Sequence, residues 1–321
     1  MSETPGPRRG LVLGAGGILG LAWSIGALRA LEEAEGFDPR TADVVIGTSA
    51  GSVLAALVGS GLSTRALVNN WQGTLDPDDP RLSYDYGGER ALPPRPAARI
   101  GSSRLLLRTL AGRGPVSPLG VLAAFAPLGR GSLAALAGII DTAAPPDWPQ
   151  APRTWIVAMD YDTGRRVVFG REDGPVVGLA QAVTASCAIP GWYAPVLAGG
   201  RRYVDGGGIS TTSADLLAGL GLDEVLVLAP MVSFAYDRPR STVARMERRL
   251  RRAWTRRLLR EADVVRRSGT AVTLLGPGPE DLEVIGGNLM DPRRRAAVLE
   301  TSLRTTAAAL AGYPPTLRVA G

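Results

Sequence analysis

Residues 11–33 read LVLGAGGILGLAWSIGALRALEE and residues 44–57 read VVIGTSAGSVLAAL, and these two stretches decide the fold. The first runs from an apolar segment, Gly10 to Leu13, through the glycine-rich GAGGILG of residues 14–20 into an Ala- and Leu-rich stretch reaching Glu33. That is the pattern of strand, tight loop and helix. The second stretch repeats it, with Asp43 to Ile46, then GTSAG at 47–51, then helical spacing from Ser52 to Val58. Strand signals return at Thr154–Ala158 and Val167–Phe169, with Thr163-Gly164 suited to a hairpin turn between them, and again at Tyr203-Val204, Val225–Leu228 and Val272–Leu275. Helices are expected over Val176–Ser186, over an arginine-rich segment from Pro239 to Ser268, and over Pro292–Ala311. Strands alternating with helices along the chain predict a three-layer α/β/α sandwich around a mainly parallel sheet. Residues 76–150 differ in texture, with Pro, Gly and Arg in runs such as LPPRPAARIGSS. They read as a mostly helical insertion in a single domain, residues 1–321, whose core comes from 8–75 and 153–312.

Composition removes several kinds of chemistry. The chain has no histidine, so a Ser-His-Asp triad, a Cys-His pair and a His-ligated metal are all excluded. Cys187 is the only cysteine, which rules out an internal disulfide and a cysteine-based metal cluster. No cofactor or metal is therefore expected. Residues 1–10 carry Pro and Arg but no apolar segment of the secretory type, and 116–140 is interrupted by Pro127, Gly129, Arg130 and Gly131. The expected location is cytoplasmic. All 36 basic residues are arginine against 30 acidic ones, a net +6 that suits an anionic membrane surface or nucleic acid without choosing between them. No nucleic-acid-binding motif accompanies it.

GTSAG is the chain's only GxSxG. Acyl hydrolases place a nucleophilic serine on a sharp turn between strand and helix, where flanking glycines remove side chains that would collide, and the helix N-terminus favours developing negative charge. Ser49 is the candidate nucleophile, with a helix-capping serine behind a tight turn as the plainer reading. Without histidine or lysine its base must be a carboxylate. Asp205 is best placed, at the end of RRYV and before Gly206-Gly207-Gly208, although an Asp-Gly turn explains the same residues. Asp160, Asp162 and Asp173 fall in hairpin-like sequence and read as turn residues. GAGGILG supplies backbone N–H groups at a helix start, a nest for an oxyanion or for the phosphates of a dinucleotide. The dinucleotide reading wants an acidic residue at the end of the next strand, and that strand ends in the serine turn.

Taken in order, LVLGAGGILGLAWSIGALRALEE, VVIGTSAGSVLAAL, ASCAIPGWYAPV (185–196) and YVDGGGIS (203–210) resemble the blocks of the patatin-like phospholipases, over about Leu11 to Leu217. The resemblance implies a Ser-Asp dyad without histidine, in which Ser49 attacks an ester carbonyl, Asp205 accepts its proton, and the N–H groups of Gly16 and Gly17 hold the oxyanion. It also implies that Ala185–Pro195 lines the active site. There Trp192 and Tyr193 are candidates for an acyl pocket or for core packing, and Cys187 reads as a small buried residue. Two departures stand out: Leu19 and Ala15 replace a family cation and a family glycine, and Ile209-Ser210-Thr211-Thr212 stands where the family often has Asn-Pro. A missing phosphate-binding cation at Leu19 bears on head-group choice.

The expectation is thus hydrolysis of a lipid or lysolipid ester through an acyl-Ser49 intermediate. An acyltransferase with the same dyad and a catalytically silent membrane-associated scaffold are the alternatives. In the segment 239–268, Val243, Met246, Leu250, Ala253, Trp254, Leu258, Ala262 and Val265 recur at helical spacing among eleven arginines. This stripe either packs on the sheet beneath solvated arginines or brings a basic face, Arg248, Arg252 and Arg256 included, to an anionic membrane. Oligomeric state has no signature in the sequence.

Overall fold

The computed structural model describes residues 6–77, 79–82, 94–114, 117–144, 147–235 and 242–312. Its centre is one sheet in which β1 (Arg9–Leu13), β2 (Val44–Thr48), β3 (Arg153–Asp160), β7 (Glu224–Leu228) and β8 (Ala271–Leu275) run parallel in the order β3-β2-β1-β7-β8. Three short strands join its edge: β4 (Arg166–Phe169) and β6 (Arg201–Asp205) pair antiparallel with β3, and β5 (Val196–Ala198) pairs with β6. The sandwich with a mainly parallel sheet therefore stands as expected, with an antiparallel margin that the alternation of strands and helices does not reveal. Thr163-Gly164 does form the turn between β3 and β4, where Met159 faces Arg166.

Side-chain alternation along each parallel strand feeds two cores. Leu11 and Leu13, Val45, Ile156, and Leu226 and Leu228 face one layer of helices. That layer comprises α1 (Gly17–Glu35), α2 (Ala50–Gly59), α3 (Thr64–Gln72), α6 (Ala134–Ala143), α7 (Leu179–Cys187) and α10 (Arg295–Ala311). Val12, Val44 and Ile46, Val157, and Val225 and Val227 face the other side, where α8 (Thr242–Arg267) contributes Leu258, Ala262 and Val265. Being buried on both faces, the central strands read as continuous apolar runs. Between β2 and β3 the chain also forms α4 (Ser103–Leu110) and α5 (Pro118–Phe125), whose Leu105, Ala123 and Ala124 make a third cluster with Met159, Tyr161 and Val204.

The arginine-rich helix departs from its expected pattern. Its stripe is split: Leu258, Ala262 and Val265 enter the core, while Met246 and Leu250 are more than half exposed. Arg248 and Arg251 are buried instead, both paired with Glu247, and Arg251 Nη1 also donates to Pro230 O at 2.6 Å. Pro239 and Arg240 lie outside the described residues. A charge reversal at Arg248 would thus break a buried pair rather than probe a surface. A second helix of the last third, α9 (Pro279–Ile285), starts from Pro279 and carries Glu280 and Asp281 in its first turn, signals that favour a helix N-terminus.

Candidate active site

Register alone brings the two key residues together. Thr48 of β2 pairs with Val157, and Asp205 of β6 pairs with Ala158, so Ser49 and Asp205 flank the same point of β3. Ser49 follows the last residue of β2 with φ 53° and ψ −123°, a positive φ that a serine adopts only under constraint. The glycines of GTSAG make the turn sterically feasible. A Cβ on Gly51 would stand 1.9 Å from Leu13 O, and one on Gly47 would stand 2.3 Å from Gly51 O. Ser49 Oγ donates to Asp205 Oδ2 at 2.7 Å, and both residues are buried. Asp205 Oδ1 accepts the Gly207 N–H at 2.7 Å, which orients the carboxylate.

Burial pushes the Asp205 carboxyl up to about 6, against the hydrogen bonds from Ser49 and Gly207 that favour its charged form. A carboxylate so placed is mostly ionised at neutral pH yet basic enough to accept a hydroxyl proton. The other acidic candidates are engaged elsewhere. Asp160 caps the β3–β4 turn through the N–H groups of Asp162 and Thr163, Asp162 pairs with Arg202 and Ser102, and Asp173 pairs with Arg171.

The loop after β1 is pinned on three sides: Gly14 N donates to Leu228 O at 2.9 Å, Ala15 N to Thr211 O at 2.8 Å, and Leu19 N to Leu289 O at 3.0 Å. The N–H groups of Gly16 and Gly17, between them, make no hydrogen bond among the described residues, and both glycines share a cavity wall with Ser49 and Asp205. Gly17 has φ +61°, at the N-terminus of α1. Two unspent donors at a helix start constitute an anion nest beside the serine.

Two apolar cavities meet at Ser49. One, of about 440 Å³, holds Asp205, Gly16 and Gly17 and is walled by Leu119, Leu122 and Trp254. The other, of about 120 Å³, runs between Leu21, Val53, Trp71, Leu136 and Tyr193. Among the described residues neither wall contains an arginine, and Asp205 is the only charged residue in either. Tyr193 and Cys187 line the smaller cavity, as the block 185–195 suggested, whereas Trp192 stacks on Tyr193 outside both. Cys187 Sγ lies 3.7 Å from Ser52 Oγ in a buried contact.

One expectation fails here. Leu19, at the position of the family cation, is 0% exposed in the main core and lines neither cavity. It is a packing residue, and its exchange for a cation would bury a charge rather than build a phosphate contact.

Sequence reasoning missed two supports. Ser186 Oγ accepts the Ser49 N–H at 2.8 Å and donates to Val157 O at 2.6 Å, tying the strained turn to β3. It sits inside ASCAIPG, so the block was visible but its role was not. Glu261 of α8 accepts from Ser210 Oγ (2.6 Å), Thr212 Oγ1 (2.7 Å), Ala214 N (3.1 Å) and Arg257 Nε (2.9 Å). Thus Glu261 secures the loop behind Asp205 where the family often has Asn-Pro, and through Thr211 O it also steadies the glycine loop. An acidic residue among arginines gave no sign of this.

A family model described as patatin-like phospholipase matches residues 11–218. No curated protein matches by sequence. Among solved structures, VipD from Legionella pneumophila is similar with a TM-score of 0.46 and 14% identity, covering 96% of this chain and 67% of that one. The type III effector protein ExoU has a TM-score of 0.41 and 21% identity, covering 96% of this chain, which spans 54% of that protein.

Proposed function

The chain belongs to the patatin-like phospholipases, and from that premise we propose that it hydrolyses carboxylic esters of lipids through an acyl-Ser49 intermediate with Asp205 as its only base. The observation that carries the reading is the 2.7 Å hydrogen bond from Ser49 Oγ to Asp205 Oδ2 at the junction of two apolar cavities. Asp205 takes the hydroxyl proton as Oγ attacks the ester carbonyl, and the Gly16 and Gly17 N–H groups face the resulting oxyanion. Collapse of the tetrahedral intermediate expels the alcohol, which leaves with the proton held on Asp205. A water molecule then gives a proton to the same carboxylate as it attacks the acyl group, and release of the fatty acid restores the serine.

Apolar walls on both sides of the nucleophile favour an acyl chain over a small polar ester, because they offer burial and almost no hydrogen bonding. Among the described residues no cation lines either cavity to pair with a phosphate head group. Purified protein assayed on p-nitrophenyl esters of graded length and on a phospholipid panel tests the reading. Turnover should rise with chain length up to the capacity of the acyl cavity. Ser49→Ala and Asp205→Asn should each lower turnover by about 10³-fold or more, the double variant being hardly worse than either. Equal activity of wild type and Ser49→Ala would overturn it.

A further inference from the structure

Helices α4 and α5 present two unlike faces. Inward, Leu105, Ala123 and Ala124 are buried with Met159 and Tyr161. Outward, Leu107 and Leu110 on α4 and Leu122 and Phe125 on α5 are each more than half exposed. Both pairs have the i, i+3 spacing that puts side chains on one side of a helix. In the segment before α4, Ile100 bridges to Pro127 just past α5 and is itself exposed. These five residues are half of the ten large apolar side chains that stand exposed among the described residues. Such a concentration marks a contact surface rather than the scatter of single residues on an ordinary exterior.

The segment itself carries charge of one sign. Residues 94–131 contain Arg95, Arg99, Arg104, Arg108, Arg113 and Arg130 and no aspartate or glutamate. Arg104 lies within electrostatic reach of Asp162, and none of the six forms a direct ion pair among the described residues, in contrast to α8, where Arg248, Arg251, Arg257 and Arg266 all contact carboxylates. The surface also adjoins the site. Leu122 is 64% exposed and at the same time lines the cavity that holds Ser49 and Asp205, so it stands at the rim.

From this we infer that the α4–α5 face is a docking surface for an anionic phospholipid bilayer. Leu107, Leu110, Leu122 and Phe125 enter the acyl boundary, and the arginines meet lipid phosphates. The inference rests on the lipid-ester reading of the same site and adds how substrate reaches it. The apolar cavity receives the acyl ester while the head group stays at the membrane plane, against the arginines of α4 and its flanking segments. It also moves the membrane contact away from the arginine-rich helix, where Arg248 and Arg251 are buried.

The test compares sedimentation of wild type and a Leu107→Ser, Leu110→Ser, Arg104→Glu, Arg113→Glu variant with phosphatidylcholine vesicles, with and without phosphatidylglycerol. Hydrolysis of a soluble p-nitrophenyl ester, which should be unchanged, reports that the variant is folded. Wild type should bind the phosphatidylglycerol vesicles preferentially and lose binding as salt rises. The variant should bind them at least about 25-fold more weakly, since each arginine near such a surface accounts for about fivefold. Equal binding by variant and wild type, absence of wild-type binding, or indifference to phosphatidylglycerol would overturn the inference. So would loss of binding in Arg245→Glu, Arg249→Glu, Arg256→Glu alone, which would place the contact on α8. Vesicle binding through α4 without any ester hydrolysis would remove the proposed function and leave the docking surface standing.

Discussion

Ser210 and Glu261 are joined by a 2.6 Å hydrogen bond that links the loop behind Asp205 to the arginine-rich helix. The same carboxylate takes Thr212 Oγ1 and the Ala214 N–H, and the loop it holds offers Thr211 O to Ala15 N. One buried anion therefore supports both Asp205 and the glycine loop from behind, without touching either.

Replacing it separates positioning from mere stability. Glu261→Gln keeps the length but turns an acceptor oxygen into a donor facing other donors, so kcat should fall by about tenfold with KM held, as a small displacement of reacting groups produces. Glu261→Ala leaves two hydroxyls and an N–H unsatisfied and should cost about 3 kcal/mol in urea unfolding. Unchanged kcat in Glu261→Gln alongside a lower Tm would make Glu261 structural only.

The pH profile follows from Asp205. With its carboxyl at about 6, the base is lost as pH falls through that value. The kcat/KM of wild type on a soluble ester should be flat above about pH 7 and fall about tenfold per unit below 6. No histidine is present to produce an inflexion of its own. A profile flat from pH 5 to 8 would remove Asp205 as the base.

The same shift has an opposite consequence for stability. The folded value of about 6 lies above the ordinary 3.8, so the folded protein holds a proton that the unfolded chain releases between them. The stabilising contribution is complete below about pH 4 and is lost as pH rises through 6, a swing of about 3 kcal/mol for two units. Asp205→Asn has no such loss. In urea titrations it should gain on wild type between pH 4 and pH 8 by up to that amount, while being inactive. A constant difference across this range would contradict the burial argument.

The strands and the sharp turn at Ser49 were legible because they rest on local rules. Gly47 and Gly51 are dictated by backbone approaching within a side chain's width, and apolar runs such as Val44–Ile46 by burial on both faces. The pairing of Ser49 with Asp205, now seen as a 2.7 Å hydrogen bond, followed from elimination, since histidine is absent and the acceptor had to be a carboxylate. What escaped depends on non-local packing. The antiparallel β6 is short, and its register with Ala158 cannot be read from RRYV. The stripe on α8 has helical periodicity throughout, yet among the described side chains the core takes Leu258, Ala262 and Val265 from its C-terminal half, while Arg248 and Arg251 of the other half are buried. Leu19 looked like a lost phosphate ligand when compared by position, and only its burial shows that it packs.

Everything proposed here depends on Ser49 being the nucleophile, activated by Asp205 alone. Intact-mass analysis after exposure to a fluorophosphonate tests it most directly. One adduct should form, mapped by peptide analysis to Ser49, absent in Ser49→Ala and formed at least about 10²-fold more slowly in Asp205→Asn. Full-rate labelling of Asp205→Asn, or an adduct on Ser52, Ser186 or any residue other than Ser49, would contradict it.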